Sequence, residues 1–105
     1  MFTEEFIQEV WSNAKKVLNE NPDEVRMDKC SARIWRKEYG NRNSEYGWEI
    51  DHIIPASKGG TDDIKNLQAL HWENNAAKGD GKFICKVTYN SNRNEIIPNW
   101  DILFE

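Results

Sequence analysis

Along the first part of the chain, Phe2, Phe6, Ile7, Val10, Trp11, Ala14, Val17 and Leu18 recur at steps of three and four residues. That spacing puts them on one face of a helix and predicts it over residues 3–19. Thr3 can cap its start, Glu4 and Glu5 suit the positive end of the helix dipole, and Lys15 and Lys16 suit the other. The stretch 19–28, with Asn21-Pro22, reads as the turn that leaves the helix. The period then changes. Ala32 and Ile34 alternate with Arg33 and Trp35, so a strand or hairpin arm is expected within 26–39, followed by turn residues from Tyr39 to Ser44.

Trp48 and Ile50 fall on one side of a short strand and Glu49 and Asp51 on the other, so apolar anchoring delivers the acid at the strand's end. Residues 55–63 form a Pro/Gly-containing loop, 66–70 a second strand and 71–78 a helix that Gly79-Asp80-Gly81 should stop. A strand over 83–89, a turn over 90–94 and a return arm over 95–97 predict a C-terminal β-hairpin. Trp100, Ile102, Leu103 and Phe104 are expected to pack on the N-terminal helix as a brace. The pattern is α+β, with one domain over 1–105: helix and turn at 1–28, a central unit at 47–79, and hairpin with tail at 82–105.

At 105 residues the chain can build one modest core, and five Trp with nearly a third charged residues argue against disorder. No apolar run reaches membrane-spanning length, and the start lacks the basic-then-apolar layout of a signal peptide, so a cytoplasmic protein without membrane contact is expected. Cys30 and Cys85 stand far apart with no C-x-x-C partner, which predicts two free, buried thiols rather than a disulfide or a four-ligand zinc site.

The net charge of −4 runs against affinity for phosphates, but it is unevenly placed. Residues 1–28 hold seven acids and three bases; from Lys29 onward there are eleven of each. Arg33, Arg36, Lys37 and Arg42 form the densest basic cluster, a candidate phosphate-contacting face.

The chemistry concentrates between Gly47 and Gly79. Asp51-His52-Ile53-Ile54-Pro55, Gly59-Gly60, Asn66-Leu67-Gln68, and Asn75 three residues before Lys78 resemble the HNH nuclease family, the ββα-metal fold, over about a third of the chain. The third motif position is Asn75 where the family name has His, a variant met in its homing-endonuclease branch. The paired C-x-x-C zinc ligands that brace many members are missing.

The resemblance implies a ββα-metal core and hydrolysis of DNA phosphodiester bonds to 5′-phosphate and 3′-hydroxyl ends. It implies His52 as general base and Asn66, by its amide or its carbonyl, as the group that orients it. Asp51 and Asn75 would be metal ligands. As these two offer only oxygens, Mg²⁺ or Mn²⁺ is the expected ion. Lys78, on nearly the same helical face as Asn75, would touch a substrate phosphate, and Lys58 on the loop would lie near it. His71, four residues before Asn75, is the rival ligand. Other readings are a nucleic-acid-binding or assembly module of the same fold with little cleavage, a toxin-type nuclease held by an inhibitor, and an enzyme acting beside a larger protein partner.

Overall fold

The computed structural model describes residues 2–79 and 83–102. Helix α1 spans Glu4–Ser12 and starts as expected: the Phe6 N–H donates to Thr3 Oγ1 at 3.2 Å. It is shorter than the predicted 3–19, although Ala14, Val17 and Leu18 continue its period. The reason lies in Arg26, whose buried guanidinium donates to the carbonyls of Ser12 (3.1 Å), Ala14 (2.9 Å) and Pro22 (2.9 Å). A cation that satisfies the last carbonyls ends a helix. Lys15–Lys16 then turn into a short strand, β1, and Leu18 is left 88% exposed.

β2 (Val25–Met27) pairs antiparallel with β1 on one side and β3 (Arg33–Trp35) on the other. The expected arm over 26–39 is therefore two strands. Between them Asp28 builds a turn, its Oδ1 accepting from the N–H groups of Cys30 (2.9 Å) and Ala32 (3.0 Å).

β4 (Trp48–His52) and β5 (Leu67–His71) pair antiparallel, with Asp51 opposite Gln68, and α2 (Trp72–Lys78) follows without a break. This is a ββα unit, and with α1 and the other antiparallel strands it makes the fold α+β. Ile7, Val10 and Trp11 of α1 pack with Ile34, Trp48, Leu67 and Ala69 to form the core. Trp48 is its centre, 5.2 Å from the Trp11 ring and 4.9 Å from Tyr39. That anchoring fixes the strand from which the acidic residues project.

The C-terminal hairpin is present, but its first strand, β6, starts only at Val87 (Val87–Asn90) and pairs with β7 (Arg93–Ile96). What docks it is Asn74, fully buried on α2. Its Oδ1 accepts from Lys86 N–H (2.8 Å) and Val87 N–H (2.7 Å), while its Nδ2 donates to Val87 O and to Asp28 Oδ2, both at 3.0 Å. Asp28 Oδ2 also accepts from His71 N–H at 2.9 Å. Burial pushes the Asp28 carboxyl above its ordinary value, against the pull of these N–H donors.

The same docking brings residue 85 beside residue 30, and Cys30 and Cys85 form a disulfide with Cα atoms 5.6 Å apart. The expectation of two free thiols is overturned. The expected packing of the tail on α1 falls largely outside the described residues; among those, the core that receives α1 draws its members from residues 2–69. Trp100 lies instead against Lys86, whose Nζ sits 5.0 Å from the ring centroid. Of the other tail residues, Leu103 and Phe104 lie outside the described residues, as does Asp80-Gly81 of the predicted helix stop.

Candidate active site

Glu49 and Asp51 share the face of β4 opposite the core, and the β4–β5 register brings Gln68 to Asp51. Asp51 is buried, at 6% exposure. Its Oδ2 accepts from Gln68 Nε2 at 2.8 Å and its Oδ1 from Lys78 Nζ at 3.1 Å. Lys78, also buried, donates further to His52 O at 2.9 Å, tying the end of β4 to the last turn of α2. Lys78 thus meets protein partners where a phosphate contact was expected.

One turn earlier on α2, Asn75 donates from Nδ2 to Glu49 Oε1 at 2.8 Å. Glu49 in turn receives Arg42 in bidentate fashion, Nε to Oε2 at 2.7 Å and Nη2 to Oε1 at 2.8 Å. The Arg42 hydrogen bonds, helped by Asn75, hold the Glu49 carboxyl below its usual range despite partial burial.

His52, Asp51, Asn75 and Lys78 line one open cleft of about 350 Å³, with Pro55, Ala56 and Ser57 on its far wall. A larger hollow of about 440 Å³ between Asp23, Glu24, Trp35 and Lys37 holds none of these groups.

The His52 ring is held by a residue the sequence reading did not name. Its Nε2 lies 2.7 Å from Asp62 Oδ1, and the Phe2 ring stands 6.3 Å away. An ionised carboxylate only accepts, so in the neutral ring Nε2 carries the proton and Nδ1 keeps its lone pair.

Asn66, expected to orient the imidazole, does other work. Its Oδ1 accepts from Ile54 N–H (2.8 Å), and its Nδ2 donates to Ile54 O (3.1 Å) and Thr61 O (2.8 Å). Its own carbonyl accepts from Ile53 N–H at 2.7 Å. Asn66 therefore clamps both ends of the loop between β4 and β5, and reaches His52 only through that loop. Gly60 completes the closure: a Cβ there would lie 1.6 Å from Ile54 O, so only glycine allows the approach.

His71 is a structural residue in this geometry. It is 1% exposed, its Nδ1 accepts from Glu73 N–H (3.1 Å) to cap α2, and its Nε2 is 2.6 Å from Glu45 O. With Nδ1 accepting, Nε2 must donate, and both ring nitrogens are taken. Nor is His71 in the cleft, so the rival-ligand reading has no geometric support.

The expected basic face is largely engaged within the protein. Arg33 donates to Ser31 O and lies 4.1 Å over the Tyr89 ring, Arg36 pairs with Glu4 at 2.6 Å, and Arg42 is held by Glu49. Lys37 Nζ sits 5.4 Å from the Trp35 ring. Lys58 is on the loop beside the cleft wall and makes no ion pair among the described residues.

Among the described residues no cluster of three or more His, Cys, Asp or Glu is placed to hold a metal ion. An ion in the cleft would rest on one carboxylate and one amide. The donors fit a hard cation: Asp51 has about four lone-pair sites and two are used, and Asn75 Oδ1 accepts no hydrogen bond from the described residues.

The ββα unit thus gathers an acid, a histidine, an amide and a lysine in one cleft. Residues 35–81 match the HNH endonuclease family model, which supports a place in that family. No curated protein and no solved structure matches the chain. Members of this family act on nucleic acid, generally with a divalent metal. No helix among the described residues is long and apolar enough to cross a membrane.

Proposed function

We propose that the protein is a metal-dependent endonuclease that hydrolyses phosphodiester bonds in DNA. The observation that carries this reading is the convergence of His52, Asp51 and Asn75 on one open cleft, each held by a separate partner. His52 Nδ1 takes the proton from a water that attacks phosphorus, while Asp62 holds Nε2–H. Asp51 and Asn75 would hold a divalent ion through oxygen, with Mg²⁺ the best match and Mn²⁺ a substitute. When bound, such an ion polarises the phosphate and stabilises the departing 3′-oxygen. Lys78 holds Asp51 in place, and Lys58 is the cation on the loop best placed for a backbone phosphate.

The test is nicking of supercoiled plasmid with Mg²⁺ or Mn²⁺, by wild type and His52→Ala. Loss of a general base lowers the rate by about 10²–10⁴-fold. Cleavage by His52→Ala close to the wild-type rate would remove His52 from the mechanism.

A second reading has an observation in its favour. With Arg33, Arg36 and Arg42 engaged internally, the densest basic cluster of the sequence offers little free charge to DNA, as suits a binding or assembly module that relies on a larger partner for grip. DNA binding with no cleavage by wild type under any divalent ion would favour it.

A further inference from the structure

We infer that Glu49, braced by Arg42, is a positioning residue that sets which end of the Asn75 amide faces the cleft. The inference rests on the reading of Asn75 as an oxygen donor to a divalent ion and extends it to the two residues behind that amide.

A side-chain amide has two ends of nearly equal size and opposite polarity. Only the carbonyl end can ligate a hard cation. On an unpartnered helix surface both orientations are accessible, and in half of them an NH₂ group would face the ion. Glu49 removes the choice. As a carboxylate it has no proton to donate, so at 2.8 Å from Oε1 only Nδ2 can stand, and Oδ1 is left to turn away from Glu49.

Arg42 makes Glu49 dependable in this role. Two parallel hydrogen bonds, at 2.7 and 2.8 Å, fix the carboxylate plane. With the Asn75 bond they occupy three of its about four lone-pair sites, Oε1 accepting from both Arg42 and Asn75 and Oε2 from Arg42, so Glu49 is a weaker competitor for the ion than Asp51, which has two in use.

Arg42 is itself carried by the element it serves. Its guanidinium stands 6.0 Å from the ring of Trp72, the first residue of α2. Trp72 donates from Nε1 to Ser44 O (2.9 Å) and from its backbone N–H to Gly47 O (3.1 Å). The turn bearing Arg42, the strand bearing Glu49 and the helix bearing Asn75 therefore form one closed frame. In this reading Arg42 is a strut rather than the phosphate contact its sequence context suggests.

The experiment is Mn²⁺ binding by calorimetry on wild type, Asp51→Ala, Glu49→Gln and Glu49→Ala, together with the side-chain amide signals of Asn75 by ¹⁵N NMR. Outer partners of metal ligands typically contribute about 10–100-fold in affinity, which is the loss expected for Glu49→Ala. Glu49→Gln, which keeps an acceptor oxygen but can lose the bidentate Arg42 contact, should fall between it and wild type. The Nδ2 protons of Asn75 should be separately resolved and slow to exchange in wild type, and should collapse toward an exposed amide in Glu49→Ala. Mn²⁺ affinity in Glu49→Ala within about twofold of wild type, while Asp51→Ala loses it, would overturn the inference and leave the metal reading intact. Unchanged affinity in Asp51→Ala as well would remove the metal reading and the inference with it. Should Glu49→Ala fail to fold, Glu49→Gln and the wild-type Asn75 signals decide: averaged, fast-exchanging Nδ2 protons in wild type count against the inference.

Discussion

Lys78 and Asp51 form the one ion pair among the described residues in which both side chains are nearly inaccessible, at 5% and 7% exposure. Removing one partner of such a pair leaves an uncompensated buried charge, which typically costs about 3–5 kcal/mol. Lys78→Met should therefore lower the urea midpoint markedly, and a midpoint equal to wild type would mean that another group takes the place of Lys78 beside Asp51. Glu49 gives a prediction in pH. Its folded-state value lies below the ordinary 4.5, so the stability it contributes is present above that value and is lost as pH falls through the folded one. Asp28, raised above 3.8, acts with opposite sign, its contribution fading as pH rises through its folded value. Comparing wild type with Glu49→Gln cancels the Asp28 part. The stability advantage of wild type should be constant above pH 4.5 and shrink below it in denaturant titrations; an advantage that does not change with pH would assign it to packing alone. At this scale the sequence disclosed Asp51, His52, Asn75 and Lys78 as neighbours, because motif order and the three-residue step along α2 put them there. It did not disclose Asp62 on His52, or Arg42 and Glu49 behind Asn75. Those partnerships cross turns whose path depends on Gly60, Asn66 and Trp72, and no local period records which side chain a turn delivers.

Elements were legible where one periodicity governed and illegible where a distant residue intervened. β4, β5, α2 and the hairpin fall close to their expected places, since alternation and turn residues act over a few positions. α1 was overread because Val17 and Leu18 keep the helical step, whereas the residue that ends the helix, Arg26, lies fourteen positions beyond Ser12. The junction of α2 with the hairpin shows the same dependence on one side chain. Asn74 satisfies two backbone N–H groups and one carbonyl of the segment 86–87 while holding Asp28. Asn74→Leu has a similar volume but no polar atoms, and would strand all of these groups in a buried setting. Each unsatisfied buried group costs about 1–3 kcal/mol, so the variant should unfold at far lower denaturant and lose amide-exchange protection at Val87 first. Wild-type protection at Val87 in the variant would show that the hairpin is docked by other contacts.

On the scale of the whole molecule, the question left open by the missing zinc pairs was what joins the hairpin to the rest, and the answer was hidden by sequence separation. Fifty-five positions divide Cys30 from Cys85, and nothing local brings them together; their meeting is a consequence of the Asp28–Asn74 contacts on one side and of Thr88 Oγ1 donating to Cys30 O at 2.8 Å on the other. A cross-link over a loop of that length restricts the unfolded chain by about 4 kcal/mol in the chain-entropy account. Its benefit therefore lies mainly in the unfolded state, while the native docking has independent support. Asn94 adds to that support: its Oδ1 accepts from Arg33 N–H at 2.8 Å, and its Nδ2 donates to the carbonyls of Arg33 and Glu45, both at 2.9 Å. Reduction, or the double change Cys30→Ser and Cys85→Ser, should accordingly lower the urea midpoint strongly, yet leave the hairpin docked and nuclease activity per folded molecule unchanged. The two halves of this expectation are separable: unfolding with and without reductant reads the first, and amide exchange at Val87 and Asn94 in the reduced native protein reads the second. A midpoint indifferent to reductant would place the two thiols apart in solution, whereas a reduced protein that keeps the core but loses protection at both sites would make the disulfide, and not Asn74, the tie that holds the hairpin to the ββα unit.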